Sequence, residues 1–387
     1  MDISLQLTQE NIKKRIASID IVRGLVMLLM LVDHVRERFF YHQQVSDPME
    51  LDTTSPQLFF TRLSAHFCAP VFVFLSGLSA WLYAHPANKP QRSPRGFLFK
   101  RGVFIIFIEI AVINWLWMGS YETLWLQVMW AIGISMLVLS LASALPYKLI
   151  LAIGLLIVAG HNALSTIHFA PNEWGYTIWT ILHDRGFIYT SEHFKIKASY
   201  PVLPWIGVIL LGYCMGPLYS SVVASAKRKR ILLLAFAGAW FTLLVLRSFN
   251  LYGETLPWSV SLDPFLTVMS FLNYTKYPPS LDFILLTLGG LFLALALLEN
   301  ADNAFTKAIE TFGSAPMFFY IVHLFILLVG YEVLLTTLGP NQGELFAVDH
   351  VWQIWLIAIG LALLLFLPTK AFAQFKHSSR SNLIKYF

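Results

Sequence analysis

Charged residues are scarce in this chain of 387 residues: Asp, Glu, Lys and Arg together make up only 13% of it. Soluble proteins carry about 25% charged and roughly 45–50% apolar residues, whereas here 57% of the residues are hydrophobic and the mean hydropathy is +0.64. This composition indicates a membrane protein that crosses the bilayer several times. Soluble-sized inserts between the apolar segments are also lacking, so the sequence predicts a single transmembrane domain over residues 1–387.

Cysteine is nearly absent. Cys68 and Cys214 both lie in apolar segments and have neither the spacing of a metal site nor that of a disulfide framework. We therefore expect packing roles for both residues and no bound metal. The polar N-terminal stretch lacks an apolar core followed by a small-residue cleavage site, so we expect no signal peptide and a first helix that directs insertion.

The motifs of several soluble enzyme classes are also missing. The chain has no glycine-rich nucleotide loop after a strand, no His-Glu-x-x-His helix and no Gly-x-Ser-x-Gly elbow, which leaves soluble-type nucleotide binding, zinc hydrolysis and serine hydrolysis without support. The net charge of +5 arises from Lys and Arg residues clustered in loops between helices, as is typical of cytoplasmic loops. We expect the lipid bilayer, and no nucleic acid, as a partner.

Apolar runs of about 20 residues, the length that crosses a hydrocarbon core of ~30 Å, recur along the chain. They predict an all-α bundle of about ten transmembrane helices, at Val22–Phe40, Phe60–Ala84, Phe97–Met118, Leu124–Leu145, Lys148–Ala163, Tyr200–Tyr219, Ile231–Phe249, Pro279–Leu298, Phe312–Leu335 and Val351–Phe372. The bias of Lys and Arg between alternate loops predicts that both termini are cytoplasmic. Residues 1–17 are then a cytoplasmic segment, and residues 373–387 a basic cytoplasmic tail.

The first of these helices carries ionisable residues, which are costly in a bilayer and therefore indicate a site. Arg23 and His34 are eleven positions apart, which places both on one stripe of the helix, about 16 Å apart along its axis. Asp20 either lies at the interface or pairs with Arg23, three residues on. Asp33 points about 100° away from His34 and is a poor partner for it. We expect Asp33 to pair with Arg36 or Glu37.

The second apolar span adds Arg62 and His66, one turn apart, and then the string Pro70–Gly77. Ser76 and Gly77 allow a ligand or another helix to approach closely, and helix packing accounts for them as well as a site does. Further polar residues stand alone in apolar runs at Glu109, Asp282, His323 and Glu332.

The stretch Arg15–Gly24 followed by His34 resembles the first-helix signature of transmembrane acyltransferases, and Pro70–Gly77 resembles the next landmark of that superfamily. Five further strings are similar to bacterial relatives of the lysosomal heparan-alpha-glucosaminide N-acetyltransferase: Leu126–Gly133, Tyr200–Gly207, Tyr252–Gly253, Asn273–Leu281 and Phe319–Leu324. The resemblance implies transfer of an acetyl or other acyl group from cytoplasmic acetyl-CoA or acyl-CoA to a hydroxyl or amine, of a sugar or glycan acceptor, on the far side of the membrane.

The resemblance and the side of the membrane together suggest roles for individual residues. The catalytic candidates are His34, Asp33, His42 and His66; those for the acyl-CoA donor are Arg23, Asp20, Lys100, Arg101 and Ser76; those for the acceptor are Arg36, Lys276, Tyr277 and His323. In the lysosomal enzyme the position that matches His34 is Asn, and a histidine in the following loop is the chemical one. His42 and His66 therefore stay alternatives to His34 as the general base.

A second class of function uses the same buried charges without chemistry: a transporter or flippase for a small polar solute or a lipid-linked sugar. A scaffolding member of the family that has lost activity is a third alternative. The acyltransferase hypothesis places the protein in a bacterial inner membrane, and the sequence leaves a homo-oligomer open. Transfer of label from acetyl-CoA discriminates the first class from the other two.

Overall fold

A computed structural model describes the backbone of residues 3–381 and 384, and the side chains of that range from Ala17 onward. Eighteen helices and strands follow in chain order: α1 Ile3–Phe39, α2 Pro56–Ser64, α3 Cys68–Ala84, α4 Arg95–Ile108, α5 Asn114–Met118, β1 Thr123–Leu126, α6 Val128–Ala142, α7 Tyr147–Gly160, α8 Tyr176–Leu182, β2 Gly186–Thr190, β3 Lys195–Ala198, α9 Leu203–Met215, α10 Ser225–Ser248, α11 Pro264–Leu272, α12 Leu281–Leu298, α13 Ala304–Ser314, α14 Pro316–Leu338 and α15 Val351–Ser378.

The chain is a predominantly helical, multi-pass membrane protein. Within the described range, six helical segments are long and apolar enough to cross a bilayer: Pro56–Ala84, Tyr147–Leu164, Ser225–Ser248, Leu281–Leu298, Pro316–Leu338 and Val351–Ser378. Each overlaps a predicted span. Val128–Ala142 and Leu203–Tyr219 are shorter apolar helices. The count of ten spans and the cytoplasmic position of both termini stay predictions, and residues 1, 2, 382, 383 and 385–387 of the predicted terminal segments lie outside the described residues.

Among the boundaries that differ from the predictions, three change the structure assigned to a segment. The first helix begins at Ile3, so the predicted N-terminal segment is helical in its described part. The span predicted from Phe312 is divided between α13 and α14, because Pro316 disfavours helical geometry at Ala315, whose φ and ψ are −132° and 56°. The span predicted from Leu124 begins only at Val128 because Thr123–Leu126 forms β1.

A small sheet corrects the all-α prediction. The strand order is β1-β3-β2, with β1 parallel and β2 antiparallel to β3. Lys197 on β3 lies directly between its cross-strand partners Trp125 and Phe187. Its Nζ is 4.8 Å from the centre of the Trp125 ring and 5.0 Å from that of Phe187, so its charge is covered on both sides by aromatic faces.

The residues form two compact units. The first unit consists of Met1–Cys68 with Leu297–Phe387, and the second of Ala69–Ala296. In the first unit α1 packs closely along α13, and α14 and α15 also contact α1. In the second unit α4 packs on α6 and α7 on α9. The prediction of a single transmembrane domain is not tested by this division and stays a prediction.

Close helix crossings in both units depend on glycine. In the first unit, a Cβ on Gly24 would lie 2.1 Å from the carbonyl oxygen of Ile309, and one on Gly313 would lie 1.8 Å from that of Asp20. In the second unit, a Cβ on Gly77 would lie 2.1 Å from the carbonyl oxygen of Ile209. Small residues of this kind let the backbones of membrane helices approach each other.

Candidate functional site

Asp20 and Arg23 form an ion pair at the α1–α13 crossing of the first unit. Nη1 of Arg23 donates to Oδ1 of Asp20 at 2.5 Å and to the carbonyl oxygen of Gly313 at 3.3 Å. The side chains are 18% and 22% exposed for Arg23 and Asp20. This contact confirms the predicted pair, which forms because residues three apart on a helix are neighbours. Lys376 of α15 donates to the carbonyl oxygen of Ser314, next to Gly313, at 3.5 Å, which adds a second cation near this end of α13.

His34, on the same helix as Arg23, contacts His323 of α14. The distance between Nδ1 of His34 and Nε2 of His323 is 2.7 Å, and Nδ1 of His323 lies 2.7 Å from the carbonyl oxygen of Phe319. The planes of the two imidazole rings are inclined by 20°, with centroids 5.0 Å apart, and the Tyr320 ring lies at 77° to the His34 ring, with centroids 5.7 Å apart. His34 is 9% exposed and His323 is 0% exposed. The partner of His34 therefore comes from another helix, as the poor geometry of Asp33 required.

Asp33 binds two arginines instead. Oδ1 accepts from Nε of Arg36 at 2.8 Å, and Oδ2 accepts from Nη1 of Arg62 at 2.5 Å. Arg36 also donates to Oε1 of Glu37 at 3.0 Å. Asp33, Arg36 and Arg62 are all buried. The predicted Asp33–Arg36 pair is confirmed, and the contact with Arg62 was not predicted. Two cations and two carboxylates thus compensate each other one residue away from His34.

His42 and His66, the alternative bases, lie in different local surroundings. His42 follows the end of α1 and packs against Phe40, with ring centroids 4.6 Å apart. His66 belongs to the single turn Ala65–Phe67, which packs against α1, and it is 1% exposed. Both residues therefore belong to the first unit with His34, and their chemical roles stay predictions.

Three of the predicted donor-binding residues belong to the second unit. Ser76 donates its hydroxyl to the carbonyl oxygen of Phe72 at 2.8 Å, a common use of serine within a helix, and its neighbour Gly77 faces α9. These contacts favour a role in helix packing over a ligand-binding role for Ser76 and Gly77. Lys100 is exposed on α4, and the guanidinium of Arg101 lies 5.8 Å from the centre of the Phe97 ring.

Lys276 and Tyr277, predicted on the acceptor side, lie in the loop between α11 and α12. Lys276 is 4% exposed, and its Nζ is 5.2 Å from the centre of the Tyr277 ring. The hydroxyl of Tyr277 donates to that of Tyr200 at 2.9 Å, and the guanidinium of Arg185 lies 4.8 Å from the Tyr277 ring centre. Lys276 and Tyr277 of this loop are therefore joined by Arg185 and Tyr200 from other parts of the second unit. Burial and the charge of Arg185 also lower the pKa of nearby Lys197.

Glu254 is a residue that the sequence did not single out. Its carboxylate accepts from the backbone N–H of Thr275 at 2.9 Å, from the Thr275 hydroxyl at 2.5 Å and from the Ser280 hydroxyl at 2.7 Å. These contacts hold the two ends of the loop that carries Lys276 and Tyr277. The sequence did offer one indication of Glu254: it directly follows Tyr252–Gly253, one of the strings that resemble the family.

Tyr252 and Gly253, which precede Glu254, connect this segment to other helices of the second unit. Gly253 has a φ of +103°, and a Cβ there would lie 2.7 Å from Oδ1 of Asp282, so the position requires glycine. The Tyr252 hydroxyl donates to the carbonyl oxygen of Ala159 at 2.7 Å and accepts from the N–H of Ala163 at 3.1 Å. Three consecutive residues therefore connect the end of α7, the start of α12 and the Lys276 loop.

Residues 15–253 match the family model of the heparan-alpha-glucosaminide N-acetyltransferase catalytic domain. The matched range includes the α1 residues Asp20 to His34 as well as Arg62, His66, Ser76, Lys100 and Arg101, and it ends at Gly253, before Lys276, Tyr277 and His323. A search of functionally characterised proteins found no significant match to the chain. Across the described residues, no group of three or more His, Cys, Asp or Glu side chains is arranged to hold a metal ion.

Proposed function

Because the chain belongs to the heparan-alpha-glucosaminide N-acetyltransferase family, we propose that it is a membrane acyltransferase that moves an acetyl or other acyl group from acyl-CoA to a hydroxyl or amine of a sugar. The family indicates a transferase. The observation that carries the finer proposal is the contact between His34 and His323: an imidazole within the family-matched helix is buried, oriented by a second imidazole and adjacent to compensated charges.

In the proposed reaction His34 is the general base. The oxygen or nitrogen of the acceptor attacks the thioester carbonyl carbon while His34 takes its proton. The carbon–sulfur bond then breaks, and the proton passes from His34 to the departing thiolate, so the products are the acylated sugar and free coenzyme A. A positioned base of this kind contributes typically 10²–10⁴-fold to the rate. We propose direct transfer, without an acyl-histidine intermediate.

We further propose that the donor enters from the cytoplasm and that the acceptor waits on the periplasmic side of a bacterial inner membrane. The length of α1 supports this: Arg23 and His34 lie on one helix, about 16 Å apart along its axis, a separation that an extended pantetheine arm can bridge. Arg23 is the proposed contact for the coenzyme A phosphates on this helix. Ten spans with both termini in the cytoplasm complete this arrangement.

The test uses purified full-length protein in lipid nanodiscs with acetyl-CoA that is radiolabelled in its acetyl group. We expect transfer of label to an amino sugar or sugar hydroxyl, or slow release of labelled acetate in the absence of an acceptor. His34→Ala is expected to lower either rate by about 10²-fold or more, within the range of a lost general base.

His193→Ala is the matched control, because His193 is exposed in the turn between β2 and β3 and has no proposed role. Its activity is expected to equal that of the wild type. Absence of acetyl-CoA binding, of transfer and of hydrolysis in the wild-type protein would count against an acyltransferase. Uptake of a solute into proteoliposomes without coenzyme A would then favour the transporter alternative. If His34→Ala retained full activity while His42→Ala or His66→Ala lost it, the base would be reassigned.

A further inference from the structure

We infer that His323 is a positioning residue that fixes the tautomer of His34, so that the Nε2 atom of neutral His34 carries the lone pair. The inference rests on the proposed function for its catalytic meaning, because it identifies the nitrogen of His34 that accepts the proton. It assigns His323 to the support of His34 and not to the acceptor, for which the sequence had suggested it. Three groups form the hydrogen-bonded chain that determines this tautomer: the imidazole of His34, the imidazole of His323 and the backbone carbonyl of Phe319.

The backbone carbonyl of Phe319 determines which nitrogen of His323 carries a proton. The carbonyl oxygen of Phe319 can only accept a hydrogen bond, and it lies 2.7 Å from Nδ1 of His323. Nδ1 of His323 must therefore carry a proton. A neutral imidazole has one N–H group, and its other nitrogen is an acceptor. In neutral His323 the acceptor is Nε2.

The tautomer of His323 in turn determines the tautomer of His34. Nε2 of His323 and Nδ1 of His34 are 2.7 Å apart, and one of them must supply the proton that lies between them. Since Nε2 of His323 is the acceptor, Nδ1 of His34 is the donor. The lone pair of neutral His34 is then on Nε2. Through His323, a carbonyl on α14 thus sets the tautomer of His34, which lies 289 positions before His323 in the chain.

The alternative proton arrangements are costly at this place. If His34 carried its proton on Nε2, two nitrogen lone pairs would face each other at hydrogen-bond distance. If His323 were an imidazolium, it would be a charge on a side chain that is 0% exposed; among its described contacts are aromatic rings, with centroids 5.2 Å away in Phe319 and 5.5 Å away in Tyr320. Burial of an unpaired charge or an unsatisfied polar group costs several kcal/mol. The arrangement with neutral His323 avoids both costs.

The same hydrogen bond helps His34 during the reaction. When Nε2 of His34 takes the acceptor proton, the ring becomes an imidazolium whose Nδ1–H still donates to His323. The base keeps its partner and its orientation through the proton transfer, which is the role of the third group in other nucleophile–base constellations. His323 therefore acts through His34 and does not need to contact the substrate.

The experiment begins with the wild-type protein. Full-length chain is labelled with ¹⁵N-histidine, and the imidazole signals of His34 are assigned from the difference spectrum of a His34→Gln variant. We expect Nδ1 of His34 in the protonated range and Nε2 in the unprotonated range. The opposite assignment in the wild-type protein would overturn the inference without any need for a His323 variant.

Two substitutions at position 323 then separate positioning from packing. His323→Leu fills the space but has no acceptor, and we expect the His34 signals to shift toward a mixture of tautomers and kcat to fall about 10²-fold, the lower range of a positioned base, with the acceptor KM unchanged. His323→Gln retains an acceptor oxygen, so it should restore the tautomer and most of kcat. His193→Leu is the matched control and should leave both readouts unchanged.

The outcomes separate the role of His323 from the proposed function. If His323→Leu keeps both the tautomer and kcat, or if His323→Gln is as impaired as His323→Leu, His323 is a packing residue and the inference is wrong. If the wild-type protein shows the expected tautomer but neither binds nor transfers acetyl from acetyl-CoA, the proposed function fails while the role of His323 in orienting His34 stands. Where His323→Leu does not fold, the wild-type spectrum and the glutamine variant decide.

Discussion

Arg62 of α2 donates to Asp33 of α1 at 2.5 Å, and both residues are buried. The pair joins the start of the second apolar segment to the helix that carries His34. Because Asp33 also accepts from Arg36, its carboxylate bridges two guanidinium groups, and Glu37 adds a second carboxylate beside them. An unpaired buried charge is costly, so this network constrains the C-terminal part of α1.

The first prediction concerns this pair. Asp33→Asn removes the carboxylate charge that Arg36 and Arg62 share and leaves them only Glu37, so we expect a loss of about 3 kcal/mol in the free energy of unfolding, the lower end of the range for removing one partner of a buried pair. The measurement is reversible unfolding in detergent followed by tryptophan fluorescence. Asp302→Asn is the control, because the Asp302–Lys307 pair has side chains 45% and 67% exposed and exposed pairs contribute little. Equal losses in the two variants would contradict the prediction.

A second prediction tests the helix crossing beside Asp20 and Arg23. Gly24→Ala and Gly313→Ala each place a methyl group against a backbone carbonyl, and we expect each to lower the free energy of unfolding by about 1–3 kcal/mol, the usual cost of overpacking. Gly360→Ala in α15 has open space around its Cβ. It should be neutral or stabilising by roughly 0.5–1 kcal/mol, because alanine favours a helix over glycine. Thermal unfolding of the three variants in one detergent compares them directly.

Glu254 gives a third prediction, on the loop that carries Lys276 and Tyr277. In Glu254→Gln an amide replaces the carboxylate that accepts from Thr275 and Ser280, and hydrogen bonds to charged groups contribute about 1.5–3 kcal/mol. We expect a lower melting temperature and, if the loop binds the acceptor, a higher KM for the acceptor with KM for acetyl-CoA unchanged. Glu192→Gln, on an exposed turn, is the control. A rise in both KM values would argue against a specific role of the loop.

The fourth prediction is a dependence of stability on pH at Tyr274, which lies in the same loop. Burial raises the pKa of the Tyr274 hydroxyl well above its usual value near 10. The unfolded chain therefore loses this proton first, and the contribution of Tyr274 to stability is fully present below about pH 10 and falls as the pH rises above it, by about 1.4 kcal/mol per pH unit. Tyr274→Phe has no such proton, so the melting temperature of the wild type should fall relative to that of the variant between pH 10 and 11. Parallel curves would contradict the prediction.

Local relationships within one helix were predictable from the sequence. The pairs Asp20–Arg23 and Asp33–Arg36 are each separated by three residues, and the 3.6-residue turn of the helix makes such residues neighbours wherever the helix lies. The same geometry excluded Asp33 as the partner of His34. The small sheet was missed because its strands are four or five residues long: β1 lies in an apolar run that favoured helix, and β2 and β3 lie between two predicted spans.

The sequence by itself determined that the chain enters a membrane, the approximate positions of the six long apolar helices within the described residues, its family and the presence of Arg23 and His34 on one face of the first helix. Composition, hydropathy and helical phase are properties of nearby residues. Only the tertiary structure decided that His323 is the partner of His34, that Arg62 compensates Asp33 and that Glu254 holds the Lys276 loop. These contacts join residues 289, 29 and 21 positions apart. No periodicity along the chain encodes such distances, since they arise only when separate helices and loops pack against one another.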